Sequence, residues 1–176
     1  MAKNKFLVGA NALFSPHGRI NRLQFSLNFW VCQVLTFLLL LGVVMLADVL
    51  SDDLMAHIDG PVTWLTMVLI VLIYYACFCL MAQRLHDTGL TAWLALVLFA
   101  GIVPNLIAFV GRDTIDYDPF LADTLSLVAG LGNILTLFMG IGLSVWPGQA
   151  GDNKYGPSPN ALPQSDAPQS ETSRDV

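Results

Sequence analysis

The chain has 176 residues, 55% of them hydrophobic and only 12% charged, with a formal net charge of −5. That balance, with a mean hydropathy of +0.64, excludes an ordinary soluble domain and makes lipid the expected solvent. With no soluble basic domain to bind it, nucleic acid is excluded as a ligand.

The first expected element is a surface helix over about residues 4–14. Phe6, Ala10, Leu13 and Phe14 recur at helical spacing while Lys5 and Asn11 fall elsewhere, the pattern of an amphipathic helix lying on a membrane. "SPHG" ends it, because Pro16 lacks an amide donor and Gly18 relaxes the backbone. In "RINRLQF", Arg19 and Arg22 are three apart and are expected to share a helix face at headgroup depth, as snorkelling anchors.

Four windows then lack Asp, Glu, Lys and Arg: Leu23–Ala47, Gly60–Gln83, Thr88–Gly111 and Thr124–Gly151. Each reaches the roughly 20 helical residues that cross a hydrocarbon core of about 30 Å. Their continuous Leu, Val, Ile, Phe and Ala lack the alternation of barrel strands. The expected fold is therefore an all-α membrane protein, a four-transmembrane-helix bundle with spans at about 24–48, 61–83, 91–111 and 121–146. The first window is too long for a signal-peptide core and is followed by no clear cleavage site, so it is read as a retained anchor.

Polar residues within the spans (Asn28, Gln33, Tyr74, Tyr75, Asn105, Asn133) are expected at helix contacts, since each needs a partner in hydrocarbon. Pro104 is expected to kink the third span. In the fourth, Ala122, Ser126 and Gly130 at four-residue steps, with Gly132, Gly140 and Gly142, form a small-residue stripe for close packing within the bundle or between protomers. Cys32, Cys77 and Cys79 read as buried apolar thiols, without a metal or disulfide role. The four-span domain covers residues 1–157, and the Pro-, Ser-, Gln- and acid-rich residues 158–176 form a disordered tail.

Orientation follows from the cations. Lys3, Lys5, Arg19, Arg22, Arg84, Lys154 and Arg174 fall on one side and Arg112 alone on the other, which holds Asp52, Asp53, Asp59, Asp113, Asp116 and Asp118. Positively charged loops stay inside, so both termini are expected in the cytoplasm. The acidic loop with His57 reads as a solvated turn rather than a cation site.

Three separated segments converge on that inner side: "GRINR" at 18–22, "RLHDTG" at 84–89 and "GDNKYGP" at 151–157. If they meet, Arg19, Arg22, Arg84 and Lys154 against Asp87 and Asp152 leave two positive charges in excess. "RLHDTG" itself has several readings. As a tight inter-span turn, Arg84 pairs with Asp87 at i, i+3, Gly89 ends one helix, and Thr88 or Thr91 caps the next. As a catalytic pair, Asp87 orients His86, although adjacent helical residues point about 100° apart. As an anion site, guanidinium groups from different helices hold a phosphate or lipid headgroup.

The same three motifs, as "FSPHGRINRLQF", "QRLHDTGLTAW" and "GDNKYGPSPN", resemble the bacterial inner-membrane family called domain of unknown function 805, over about Phe6 to Pro159. The resemblance implies a multi-pass protein of the bacterial inner membrane and marks Gly18, Arg19, Arg22, Arg84, His86, Asp87, Gly89, Trp93, Asn153, Tyr155, Gly156 and Pro157 as motif residues. It implies no activity. The chain departs from the family pattern where Pro16 and His17 extend the first motif, Gln83 replaces an arginine, Thr91 stands for serine and Leu94 replaces a second tryptophan. The expected function is non-catalytic, without cofactor: a cluster of Arg19, Arg22, Arg84, His86, Asp87, Asn153, Lys154 and Tyr155 recognising anionic lipid or a membrane partner, which includes a second copy of the chain. The alternatives are permeation of a small solute past Pro104, Asn105, Asn133 and Tyr75, and an enzyme using His86.

Overall fold

A computed structural model describes residues 8–50, 52–111 and 118–159, all of whose regular elements are helical. Lys3, Lys5, Phe6, Arg112, Asp113, Asp116 and the tail from 160 lie outside the described residues, as does the start of the expected surface helix. What is described of that helix is one turn, α1 (Ala10–Leu13).

The long helices are α2 (Arg22–Val49), α3 (Asp52–Asp87) and α5 (Pro119–Val145), and each contains a segment long and apolar enough to cross a membrane. The shorter α4 (Val97–Gly111) is preceded by a 3-10 turn over Ala92–Leu96. Two boundaries differ from expectation. α3 continues through the acidic stretch expected as a loop, with Pro61 inside it: charged side chains do not end a helix that has already left the hydrocarbon. Arg19 and Arg22 do not share a helix face. Asn21 intervenes as the N-cap of α2, its side chain accepting from the Gln24 amide at 2.8 Å, so Arg19 sits in an irregular lead-in and Arg22 in the first turn.

α3 is terminated by Gly89, two residues beyond its last, whose φ of 81° suits a residue without Cβ. The Leu90 amide donates to the Leu85 carbonyl (2.9 Å) and the Gly89 amide to His86 (3.1 Å), the paired bonds of a glycine-terminated helix. Neither threonine caps the next element: Thr88 Oγ1 donates back to Leu85 and Thr91 makes no side-chain cap.

α2 pairs with α3 and α5, and α4 with α5. The α4–α5 approach is set by Gly132, where a Cβ would fall 2.3 Å from the Gly101 nitrogen and 2.4 Å from the Ala100 carbonyl carbon. Gly140 makes room for the Phe29 ring in the same way. The packing face of α5 is thus Ala129, Gly132, Thr136, Gly140 and Leu143, whereas Ser126, Gly130 and Gly142 of the expected stripe face outward.

The buried core gathers at one end of the bundle, where α2 begins and α3 ends: Phe25, Phe29, Cys77, Leu80, Met81, Leu85 and Leu98 are enclosed. Elsewhere α2, α3 and α5 expose Leu, Val, Ile and Phe along their length, as helices solvated by lipid do. The polar residues of the spans divide. Trp30 Nε1 donates to Ser144 Oγ at 3.3 Å and Cys77 Sγ to Gln33 Oε1 at 3.6 Å, both between helices. Asn28 and Asn105 donate to carbonyls of their own helices.

Candidate functional site

The three motifs meet at the enclosed end of the bundle. Asp87, in the last residue of α3, lies between two arginines from different segments. Its Oδ1 accepts from Arg19 Nε at 3.1 Å and lies 3.0 Å from Arg19 Nη2. Its Oδ2 accepts from Arg84 Nη1. All three side chains are at most 2% exposed, so two cations and one anion are withdrawn from water with a net charge of +1.

The remaining donors explain why so costly an arrangement holds. Arg84 Nε donates to the Leu143 carbonyl at 3.0 Å and Nη2 to that of Trp146. These are carbonyls at the C-terminal end of α5 that have no intrahelical donor, and a cation there also meets the negative end of the helix dipole. Arg19 Nη1 donates to Gly151 (2.8 Å) and Gly156 (3.1 Å), and Nη2 to Gln149 (2.8 Å), all carbonyls of the segment after α5. Four of its N–H groups thereby donate to acceptors of the protein itself, and Nη2 also faces the Asp87 carboxylate. A short strap, residues 147–157, is wound around that guanidinium. Gly151 and Gly156 have positive φ (77° and 125°), which turns their carbonyls inward. Gly148 is required for another reason: a Cβ there would fall 2.0 Å from Asp87 Oδ2.

His86 and Asp87 are not a dyad. His86 Nδ1 lies 3.2 Å from the Gly18 carbonyl, and its ring stacks on Tyr155 at 3.8 Å and 14°. Lys154 Nζ sits 4.9 Å over that tyrosine. Asn153 ties the strap down, donating to the His86 carbonyl at 2.9 Å and accepting from the Tyr155 amide at 2.9 Å. On the other flank, Gln83 donates to the Ala12 and Ser15 carbonyls, holding the N-terminal segment against α3.

Gly18, Arg19, Arg84, His86, Asp87, Gly89, Asn153, Tyr155 and Gly156 therefore come together as the motifs suggested. Arg22 is exposed, Lys154 lies over the Tyr155 ring, and Trp93 and Pro157 point outward. Sequence reasoning missed Gln83, Gly148 and Gln149, and the carbonyls of Leu143 and Trp146. The signal available for the strap was the glycine spacing in "PGQAGD".

Residues 13–157 match the family described as protein of unknown function (DUF805). The chain belongs to that family. The matched range runs from the end of α1 to the last residue of the strap, so the DUF805 unit includes every residue of the cluster. No curated protein and no solved structure matches the chain. Among the described residues no group of His, Cys, Asp and Glu is disposed to hold a metal ion.

Proposed function

We propose that this DUF805 protein is a non-catalytic, four-span protein of the bacterial inner membrane, with both termini cytoplasmic, whose polar end recognises anionic lipid headgroups. Support for the fourth span is length. The 3-10 turn and α4 together cover Ala92–Gly111, and at about 2.0 and 1.5 Å per residue they extend roughly 32 Å, a hydrocarbon thickness. Exposed Trp93 and Trp146 mark the cationic end of the bundle, with Trp64 and Phe120 near the other, as interfacial aromatics do. The cations of the polar end favour the cytoplasmic side for it.

The observation that carries the reading is the buried Arg19–Asp87–Arg84 triad, which joins both terminal segments to α3 and leaves an uncompensated positive charge at the polar end of the bundle. An inner leaflet rich in anionic lipid is the natural counter-charge. Catalysis is disfavoured because Asp87 is spent on two arginines and His86 is engaged by Gly18 and Tyr155, so the two do not address a common point. A solute path is disfavoured because Asn105 bonds its own helix and Asn133 packs where a Cβ on Gly101 would be.

The test is native mass spectrometry of the protein released from bilayers containing equal phosphatidylglycerol and phosphatidylcholine. Enrichment of phosphatidylglycerol in the retained lipid is expected, and equal retention of the two would refute the reading. Arg19→Ala and Arg84→Ala are unsuited to this test, since both residues hold the fold together.

A further inference from the structure

The polar end is not sealed. Beside the triad lies a cleft of about 480 Å³ whose walls include Asn21, Arg22, Leu23, Arg84, Asp87 and Pro147. Among its lining residues Arg84 is fully enclosed, its guanidinium committed to Leu143, Asp87 and Trp146, so it acts on the cleft through its charge. Its rim holds Arg22, exposed and outside every ion pair among the described residues.

The electrostatics of the cleft are cationic despite the carboxylate in its wall. Both oxygens of Asp87 are already engaged, one by each triad arginine. Three guanidinium groups thus stand near one carboxylate, and the excess of two positive charges lies partly in low dielectric, where it acts more strongly than in water. Asn21, Arg22 and Leu23 belong to the start of α2, whose first amides have no intrahelical acceptor and whose dipole adds to the same sign. Planar guanidinium groups are suited to the paired oxygens of a phosphoester.

The surroundings select among phosphoesters. Leu23, in the cleft wall, is 47% exposed, and Leu27 and Val31 continue from it at four-residue steps on the same face of α2, also exposed. The cationic cavity therefore opens onto an apolar track running into the membrane, which is the profile of a phosphate carried on acyl chains. We infer that this cleft is a seat for the phosphodiester of an anionic lipid, with Arg22 on the phosphate, the buried charge of Arg84 behind it and the apolar part of the lipid against Leu23. The inference rests on the proposed headgroup recognition and names the residues and ligand class that carry it.

Arg22→Glu reverses the charge at the rim without removing an ion pair of the fold, and Arg22→Lys keeps the charge but loses the fork. The full chain and both variants are placed in nanodiscs of equal phosphatidylglycerol and phosphatidylcholine, and the lipid retained on release is counted by native mass spectrometry. Arg22→Glu should lower the phosphatidylglycerol preference about tenfold or more, the scale of a lost charge-assisted bond, with Arg22→Lys between it and wild type. Soluble glycerol 3-phosphate added before release separates the sources. Displacement of lipid leaves the seat a phosphoester site that a water-soluble ester also fills, and resistance to displacement ties it to the acyl-linked form. If Arg22→Glu keeps the wild-type preference, the seat is wrong while headgroup recognition stands. If wild type shows no preference, both fall.

Discussion

Asp87→Asn takes one negative charge from between two buried cations and changes almost nothing in shape. At the 3.0 Å separation from Arg19, a unit pair in an effective dielectric near 20 is worth about 5 kcal/mol before desolvation. Desolvation offsets most of that gain while the pair exists, but the substitution leaves the desolvated arginines behind. Breaking a buried pair from one side costs about 3–5 kcal/mol, and this carboxylate serves two partners, so the upper half of that range applies. Against a total stability on the order of 5–15 kcal/mol, the loss is large. At about 2–4 °C per kcal/mol for a chain of this length, the melting temperature followed by circular dichroism in detergent should fall by roughly 10–20 °C. Limited proteolysis should also begin within residues 147–157, because Arg19 loses the anchor that positions it inside the strap. Asp87→Glu keeps the charge and should recover part of both losses. Melting within about 2 °C of wild type for Asp87→Asn, no more than the shift expected for about 1 kcal/mol, with the strap still protected, would refute the triad as the element holding this end together.

Two glycine comparisons test the other close approaches. Gly132→Ala puts a methyl against the backbone of Ala100 and Gly101, so α4 and α5 must separate, at a cost of about 1–3 kcal/mol; Gly130→Ala, inside the same helix with open space around it, should melt at or slightly above wild type in the same assay. Gly89→Ala and Gly151→Ala both force alanine into a left-handed conformation, worth roughly 1–2 kcal/mol. Only Gly89→Ala also displaces the Gln149 side chain, which a Cβ would meet at 2.2 Å, so it should be the more thermolabile of the two.

The apolar helices were legible because a window of some twenty residues without charge admits few other structures. Their ends were less so. The acidic residues Asp52 and Asp53 read as a loop, yet they lie in α3, because a helix outgrowing the hydrocarbon keeps its own hydrogen bonds and needs no apolar side chains to continue. The small-residue stripe was legible as a kind of feature but not in its phase. Gly130 and Gly132 are two residues apart and so lie on different faces of α5, and only Gly132 meets α4; choosing between them requires knowing where the neighbouring helix passes.

Within the site, Arg84 with Asp87 was legible from i, i+3 spacing alone, and the convergence of three motifs was expected from a bilayer that would set them at one depth. The fate of Arg19 was not, and the reason is chemical. Apart from Asp87, its partners are the carbonyls of Gln149, Gly151 and Gly156, and a carbonyl is common to every residue, so no side-chain identity announces it. What a sequence can carry is the permission for such carbonyls to turn inward, and here that takes the form of glycines at 151 and 156. The two arginines three apart in "GRINR" consequently divide the work, because Asn21 starts a helix between them. Arg19, in the lead-in, is consumed by the protein, while Arg22, in the first turn, stays at the surface.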